Sequence, residues 1–258
     1  MRHPAGWIVP QWPLPAGLRA LCSTREGGAS RGAYASLNLG DHVGDDPEAV
    51  TANRTILAQG MQARPVFMHQ VHGTGVAVLT RDSADGLQAD ACLTTEPGVA
   101  CTIMVADCLP VLFALRDGRA VAAAHAGWRG LAGAAGRGVL ESVCRELWAA
   151  TGAGPADTLA WLGPCIGPEA FEVGPEVKAA FEASDATAAE CFRPHGPGKW
   201  LADLPALARR RLQALGIGCL YGNDSRSAWC TVSNPSRFFS HRRDHGTSGR
   251  FAAAIWRS

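Results

Sequence analysis

Three side chains of types that bind zinc lie far apart along this chain. His72 ends the segment His69-Gln-Val-His72, Cys108 follows Asp107, and His125 precedes a glycine-bearing turn. Two imidazoles and one thiolate leave a coordination position open for a reactant, as in catalytic zinc sites. These three residues are therefore candidate metal ligands, provided that the fold brings them together.

A β-hairpin is predicted around Asp117-Gly118, which lies between two apolar runs. A two-residue turn there places Pro110 opposite His125, and Cys108 opposite Gly127. Cys108 and His125 are then diagonal neighbours on one face, about 7–8 Å apart, from where they can share an ion. A shift of one residue would put them on opposite faces, so the metal prediction depends on this register.

The third ligand has to come from another segment, and each candidate also has an ordinary interpretation. Positions three apart on a strand face opposite sides, so His72 and His69 are not expected to bind together. A cysteine such as Cys108 in an apolar context is usually a core residue, and His125 at a strand end is usually just hydrogen-bonded. Asp107 could support a metal ligand or belong to a turn.

Three glycine-bearing segments are candidates for binding an anion. The segment from His125 to Leu131 leads from a strand into a helix, whose first N–H groups are free, and it carries Arg129. Near the carboxyl end, residues 238–250 combine two phenylalanines and two histidines with three arginines, among them Arg242 and Arg243. Asn38 lies in a third segment that is either a binding loop or a turn. An ordinary solvated turn is the alternative in each case.

The apolar pattern predicts helices and strands without strict alternation. Helices are predicted from Pro47 to about Ala58 with Asp46 as N-cap, after Arg129-Gly130, from Pro175, and from Asp203 to Gly216. Strands are predicted at Val66–Val71, Val76–Thr80, Val99–Val105, Pro110–Leu115, Arg119–His125, Thr158–Leu162, Ile217–Tyr221 and Phe251–Trp256. This order favours an α+β fold of mixed, sandwich-like sheets flanked by helices. No boundary is visible, so residues 1–258 are predicted to form a single domain.

The composition excludes several classes of protein. The 258 residues are 47% hydrophobic and carry a formal net charge of +1, which gives no long-range field for nucleic acid or an anionic membrane. The nine cysteines form no CxxC pair, which argues against a disulfide framework. The proline-broken start, residues 1–17, is unlike a signal peptide, and no run is long enough to span a bilayer. We therefore expect a cytoplasmic monomer or small homo-oligomer.

Five stretches of the sequence together resemble one family. They are SLNLGDHVGDDPEAVTANR (36–54), HQVHG (69–73), ADACLTTEPGVACTIMVADCLPVLF (89–113), HAGWRGL (125–131) with WLGPCIGPEAFEVGPEV (161–177), and FFSHRRDHGTSGRFA (238–252). The chain resembles the YfiH-like family, whose members are also labelled laccase-domain, polyphenol-oxidase or peptidoglycan-editing-factor proteins.

The resemblance implies a fold, a metal and a reaction. It implies an α/β-sandwich domain and a metal held by His72, Cys108 and His125, with zinc expected and copper less favoured. It also implies phosphorolysis of adenosine, inosine and S-methyl-5′-thioadenosine, and deamination of adenosine, with purine nucleosides and phosphate as partners. Two positions depart from the family pattern: His241 stands where a tyrosine is common, and Cys165 is not always cysteine in relatives.

These implications assign expected roles to the candidate residues. Zinc lowers the pKa of a bound water to near 7, which suits attack on the amino-bearing carbon of adenine. Phosphorolysis needs a phosphate aimed at the anomeric carbon and oriented by cations, for which Arg129, Arg242 and Arg243 are candidates, with Asn38 as a further substrate contact. Cys108 and Arg129 are accordingly the expected catalytic residues.

Three alternatives to a nucleoside enzyme remain open. A multicopper oxidase would need many paired histidines, whereas this chain has eight histidines and no His-x-His. A cysteine hydrolase that edits peptidoglycan precursors would use Cys108 as nucleophile with a histidine as base. In a non-enzymatic binding module, the metal would only stabilise the fold.

Overall fold

Short β-strands make up much of the structure, a computed structural model that describes residues 6–258. The first five residues of the N-terminal segment discussed above lie outside it. The strands are β1 (Leu18–Cys22), β2 (Arg64–Phe67), β3 (Val76–Val78), β4 (Ala91–Thr94), β5 (Val99–Val105), β6 (Leu109–Leu115), β7 (Val121–Ala126), β8 (Thr158–Leu162), β9 (Glu172–Val173), β10 (Phe192–Pro194), β11 (Trp200–Ala202), β12 (Cys219–Gly222) and β13 (Phe251–Arg257).

The helices are fewer and lie outside the sheets. They are α1 (Pro47–Met61), α2 (Trp128–Ala132), α3 (Val139–Thr151), α4 (Pro175–Glu182) and α5 (Leu204–Ala214), with short 3₁₀ turns at Gly32–Tyr34, Pro155–Asp157, Ala186–Cys191 and Ser227–Trp229. Among the helices of residues 6–258, none combines the length and apolar character needed to cross a bilayer.

The strands form three sheets, two of them mixed in direction. One sheet has the order β1-β13-β5-β2, a second has the order β12-β8-β6-β7-β4-β3, and a small antiparallel sheet has the order β10-β11-β9. In the first sheet β2 runs parallel to β5, and in the second β12 runs parallel to β8 and β3 parallel to β4. The remaining pairs of these two sheets are antiparallel. The predicted α+β class with mixed sheets is confirmed.

The two larger sheets pack face to face, and helices cover their outer faces. Alternate residues of β5 point into two different cores. Cys101 and Ile103 point into the core between the sheets, whereas Met104 points into the core under α1. Phe113 of β6 points into a third core, which it shares with Leu140 of α3 and other helical residues. A strand that is apolar on every residue is therefore buried on both faces, as the continuous apolar runs indicate.

The predicted hairpin has the expected register. Strands β6 and β7 pair with Pro110 opposite His125 and Leu109 opposite Ala126. The turn that joins them contains Asp117, and the N–H of Gly118 donates to Leu115 O at 2.9 Å. Apolar patterning and a strong turn signal were sufficient to fix this pairing.

Two predicted helix starts are confirmed by their caps. The Asp46 carboxylate accepts from the Glu48 N–H ahead of α1, and the Asp203 carboxylate accepts from the Ala206 N–H ahead of α5. The helix predicted from Pro175 is present as α4. In each case proline occupies the first turn, where its missing N–H costs nothing.

The helix predicted directly after Arg129-Gly130 begins later than expected. Helix α2 ends at Ala132, Gly133 takes a φ of +62°, and α3 begins only at Val139. The glycines let two chain segments touch, since a side chain on Gly133 would clash with the backbone at Arg137. Close backbone approach of this kind leaves no signal in hydrophobic periodicity.

The strand predictions missed several elements and misplaced some ends. The predicted strand Val66–Val71 ends at Phe67, and strands β1, β4, β9, β10 and β11 were not predicted. Strand β4 is four residues long and fully buried, whereas β9 has only two residues. Runs this short cannot be separated from loops by periodicity.

Candidate metal centre

Two of the candidate ligands, Cys108 and His125, lie at the open end of the β6–β7 hairpin. His125 is the penultimate residue of β7, and Cys108 directly precedes β6. Because Pro110 is opposite His125, the side chains of Cys108 and His125 share the face that points toward the other large sheet. The strand register thus places a thiol beside an imidazole.

His72 reaches the same place from a loop, not from the end of a strand as predicted. Strand β2 ends at Phe67, and His72 itself has a φ of +60°. The buried Asp90 carboxylate holds this loop by accepting the N–H of His72 at 2.9 Å, of Gly73 at 2.6 Å and of Val71 at 3.2 Å. A carboxylate that binds three consecutive N–H groups compensates for an unusual backbone conformation.

The three ligand atoms form a compact cluster. All of them lie within 4.8 Å of one another, and Cys108 Sγ is 3.7 Å from His72 Nε2. The rings of His72 and His125 are edge to face, with centroids 4.8 Å apart. Ligands at about 2.0–2.3 Å from a central ion are separated by distances of this order, so the cluster can hold a metal ion.

Asp90 also fixes the orientation of His125. Its Oδ1 atom is 2.8 Å from His125 Nδ1, and both residues are almost fully buried. Burial raises the pKa of Asp90, but the hydrogen bonds from His125 and from backbone N–H groups hold it below the usual value. The ionised carboxylate leaves Nε2 of His125 to face the cluster, which is the common arrangement behind a metal-bound histidine.

The cluster favours a charged pair in the protein without metal. Burial acts to raise the pKa of Cys108, but the imidazoles of His125 and His72 lower it to about 6. Burial acts to lower the pKa of His125, but the Cys108 thiolate and Asp90 raise it to about 9. At neutral pH the thiolate is therefore available for a metal, whereas His125 carries a proton that a metal has to displace.

Zinc affinity is consequently expected to depend on pH in a defined way. Between pH 6 and pH 9 the dominant competitor is the single proton on His125, so the dissociation constant should fall about tenfold per pH unit as pH rises. Below pH 6 the Cys108 thiol is protonated as well, and the dependence should steepen. Chelator competition at fixed ionic strength measures this, and a flat profile between pH 7 and pH 8.5 would contradict the assignment.

Gly127 provides a test of the cluster that leaves every ligand in place. A Cβ atom at this position would lie 2.7 Å from His72 Cδ2 and 3.1 Å from Cys108 Sγ. The backbone there, with a φ of −65°, accepts alanine without strain. We expect Gly127→Ala to displace the two ligands and weaken zinc binding by about tenfold or more, a loss comparable to that of a supporting hydrogen bond.

Gly218 offers a matched control for this variant. A Cβ atom on Gly218 would meet no atom within 4 Å. Gly218→Ala should therefore leave zinc affinity unchanged in the same competition assay. Equal zinc affinities for the two alanine variants would show that His72 and Cys108 do not bind the metal together.

The cluster lies in a cleft of about 270 Å³. Its apolar lining includes Trp128, Phe171 and Ile166, and its polar lining includes His42, Arg242 and Arg250. The volume is just below the roughly 300–1,000 Å³ range that is usual for small-molecule sites. Aromatic surface and cationic groups beside a metal cluster suit a planar, partly anionic reactant.

The predicted anion-binding residues occupy different positions relative to this cleft. Arg242 lines it, and both terminal nitrogens of its guanidinium donate to Glu172 O at 3.0 Å. Arg129 is exposed, and its guanidinium stacks 4.5 Å from the ring of Trp128, a residue of the cleft wall. Arg243 donates to Asp244, Thr231 O and Phe238 O, so its hydrogen bonds stabilise the carboxyl-terminal loop.

Asn38 is buried behind the cleft, not within it. Its side chain accepts the N–H groups of Gly40 and Arg250 and donates to Gly40 O and the Asp45 carboxylate. All of its hydrogen-bonding capacity is used inside the protein. The structure therefore places Asn38 where it can position Arg250.

Asp107, His241 and Cys165 lie in three different environments at or near the cleft. The Asp107 carboxylate accepts the Thr231 hydroxyl at 2.5 Å and the Arg242 N–H at 2.7 Å, so it anchors the carboxyl-terminal loop. His241 lines the cleft. Cys165 is fully buried, and this burial raises the pKa of its thiol well above the usual value.

Two important residues of the site, Asp90 and Arg250, were not selected from the sequence. Asp90 lies inside the buried run Ala89–Leu93, and a carboxylate in such a run is almost never fully buried unless it is paired. An acidic residue inside so apolar a run is therefore a signal by which Asp90 could be selected from the sequence. Arg250 was counted among the three arginines of residues 238–250, but no pattern separated it from the other two.

Comparisons with known proteins agree on one family over nearly the whole chain. Residues 19–258 match the family described as multi-copper polyphenol oxidoreductase laccase. The chain is 49% identical to a protein of Pseudomonas aeruginosa named purine nucleoside phosphorylase, covering 97% of this chain and 98% of that protein. It is also 49% identical to the Escherichia coli K12 protein named purine nucleoside phosphorylase YfiH, covering 96% and 98%.

Solved structures share the fold. A Neisseria meningitidis protein of the DUF152 family superposes with a TM-score of 0.88 at 46% identity, covering 98% of this chain and 99% of that one. YlmD from Geobacillus stearothermophilus superposes with a TM-score of 0.87 at 33% identity, covering 100% and 98%. The sandwich of mixed sheets described above is the architecture of these proteins.

Proposed function

The chain belongs to the family described as multi-copper polyphenol oxidoreductase laccase, the YfiH-like family, and from this membership and the cleft we propose that it is a metal-dependent purine nucleoside phosphorylase. Two relatives that are 49% identical to it over almost their full length are named purine nucleoside phosphorylase. The observation that supports the proposal within this chain is the cluster of His72, Cys108 and His125, which lies in a cleft with aromatic and cationic walls.

The proposed reaction assigns a task to each part of the cleft. An oxygen of inorganic phosphate donates an electron pair to C1′ of the ribose, and the C1′–N9 bond breaks toward the purine, which takes up a proton at nitrogen. The products are the free base and ribose 1-phosphate. Trp128 and Phe171 offer apolar ring surface for the base, and the arginines of the cleft offset the charge of the phosphate.

The aromatic wall is itself supported by cations. Arg129 stacks on Trp128, and Arg242 lies 5.8 Å over the ring of Phe171. Stacking of a guanidinium on a ring restrains both groups. In this proposal Arg129 acts by holding Trp128 in the wall, and Arg242 contributes positive charge next to the base.

The donor set determines which metal is proposed. Two imidazoles and one thiolate suit zinc and leave a position free, so we propose Zn²⁺ held by His72, Cys108 and His125. When bound, the ion would supply Lewis acidity beside the substrate. The proposed substrates are adenosine, inosine and S-methyl-5′-thioadenosine, with deamination of adenosine as a second reaction in the same cleft.

A copper oxidase fits the described residues less well. Within residues 6–258, the three ligands named here form the single His/Cys/Asp/Glu group that is compact enough to hold an ion. An oxidase with a copper cluster needs several such groups close together. The laccase description of the family therefore does not decide which reaction this chain performs.

A cysteine hydrolase is the second candidate, because one observation favours it. Without metal, the Cys108 thiolate, His125 and Asp90 form the nucleophile, imidazole and carboxylate series of cysteine enzymes. The two candidates differ in what the metal does to the thiolate. Iodoacetamide should label Cys108 in metal-free protein and spare it in zinc-loaded protein if the thiolate is a ligand, whereas a hydrolase nucleophile should react in both.

Incubation with nucleoside and phosphate tests the proposed function directly. Zinc-loaded protein should convert inosine to hypoxanthine and ribose 1-phosphate only when phosphate is present, and adenosine to adenine or inosine. A Cys108→Ser variant purified in the same way controls for contaminating phosphorylase. Equal product from the two preparations, or no product from either, would end the proposal.

A further inference from the structure

Arg250 differs from Arg242, the other arginine that lines the cleft, in having two adjacent guanidinium donors without partners among the described residues. It lines the cleft together with His42. Its Nη1 donates to Ser248 O at 2.8 Å and to Gly249 O at 3.1 Å, but among the described residues Nε and Nη2 have no hydrogen-bond partner and no carboxylate forms an ion pair with it. Arg242 and Arg243, by contrast, both direct their terminal nitrogens at backbone oxygens.

The position of Arg250 is fixed by its surroundings. Its N–H donates to Asn38 Oδ1 at 2.8 Å, and its C=O accepts the Leu39 N–H at 2.9 Å. The buried Asn53 side chain in turn donates to Asn38 O at 2.8 Å. This network holds the backbone of Arg250 while the side chain reaches the cleft.

A glycine makes room for the aliphatic part of the side chain. A Cβ atom on Gly40 would lie 2.8 Å from Arg250 Cγ and 3.3 Å from its Cβ. The start of the side chain thus runs close to Gly40, and the two hydrogen bonds of Nη1 restrain its guanidinium end. Less side-chain freedom therefore remains to be lost when a ligand binds.

We propose that Arg250 is the phosphate-binding side chain of the cleft, with the free Nε and Nη2 donors binding two oxygens of one phosphate dianion. This inference rests on the proposed function and specifies one of its substrate sites. A guanidinium with two adjacent free N–H donors matches the geometry of two phosphate oxygens. A partly buried cation without an ion-pair partner gains more from an anion than an exposed one does.

Two kinds of ligand carry a phosphate dianion that Arg250 could bind. Inorganic phosphate would meet Arg250 beside the nucleoside, whereas the 5′-phosphate of a nucleotide would arrive attached to the ribose. We assign the site to inorganic phosphate, because phosphorolysis of an uncharged nucleoside requires a separate phosphate in the cleft.

Initial-rate kinetics with inosine and phosphate test the assignment on zinc-loaded protein. Arg250→Gln should raise KM for phosphate by about tenfold or more, the typical effect of losing a charge-assisted pair, and change KM for inosine by less than about threefold. Arg250→Lys should recover part of the loss. Arg145→Gln, which alters an exposed arginine on α3, should match the wild type in both constants.

Gly40→Ala tests the same site without removing any charge. The added methyl group displaces the Arg250 stem, so KM for phosphate should rise while KM for inosine stays close to that of the wild type. Calorimetric titration of inorganic phosphate into zinc-loaded protein gives a readout that does not need turnover, and Arg250→Gln should weaken the measured affinity by a similar factor.

The outcomes separate this inference from the proposed function. No phosphorolysis by the wild type would defeat the proposed function. An active wild type, with an Arg250→Gln variant whose phosphate KM and phosphate affinity are unchanged, would defeat the inference alone. Weaker binding of inosine 5′-monophosphate by Arg250→Gln, with phosphate binding unaffected, would assign the site to a nucleotide and overturn the inference as well.

Discussion

Replacing Cys108 by serine is expected to weaken zinc binding by at least about a hundredfold and to remove phosphorolysis. A thiolate with a pKa of about 6 is largely ionised at neutral pH, whereas a serine hydroxyl is not and binds zinc poorly. The substitution removes one of three ligands but hardly changes volume, so the fold should persist. Chelator competition and product formation from inosine measure the two effects.

Cys219 supplies a control of similar exposure. It is half-buried like Cys108, but its sulfur accepts from the Arg116 side chain and lies outside the cluster. Cys219→Ser should keep the zinc affinity and turnover of the wild type. Retention of stoichiometric, tight zinc in Cys108→Ser would place the metal elsewhere and remove the basis of the proposed mechanism.

Replacing Asp90 by alanine is expected to have the largest effect on stability. Its carboxylate accepts three backbone N–H groups and His125 Nδ1 in a fully buried position. Removal leaves these donors without a partner, which typically costs about 3–5 kcal/mol for a buried charged group. His125 and the His72 loop also lose their common anchor, so zinc affinity should fall about 10–100-fold.

Urea unfolding of the metal-free protein and zinc competition measure these two effects separately. Asp203→Ala is the matched control, because this carboxylate caps α5 and binds the Ser225 hydroxyl away from the cluster. It should cost about 1–2 kcal/mol and leave zinc affinity unchanged. An Asp90→Ala variant with the stability and zinc affinity of the wild type would refute the organising role of this carboxylate.

The hairpin shows how much of the site could be predicted from the chain alone. Asp117-Gly118 and two apolar runs defined the register, and the register placed Cys108 and His125 on one face. These are local effects, since a strong turn signal between two apolar runs leaves few other pairings. His72 was selected by its residue type and by the family resemblance, but its loop conformation was not predicted.

The remaining features of the site depend on contacts between distant segments. The bend at His72 exists because Asp90 accepts its N–H, and the position of Arg250 depends on Asn38 and Gly40. No periodicity within one segment encodes such a pairing. The late start of α3 has the same origin, because glycines there allow two backbone segments to touch.

An X-ray absorption spectrum at the zinc edge of the zinc-loaded protein tests the central claim most directly. The account predicts one sulfur at about 2.3 Å and a shell of nitrogen or oxygen at about 2.0–2.1 Å, two of them with imidazole scattering. Loss of the sulfur shell from the spectrum of Cys108→Ser would identify Cys108 as the source of that sulfur. A wild-type spectrum with no sulfur, or with two or more sulfurs, would contradict a centre built from His72, Cys108 and His125.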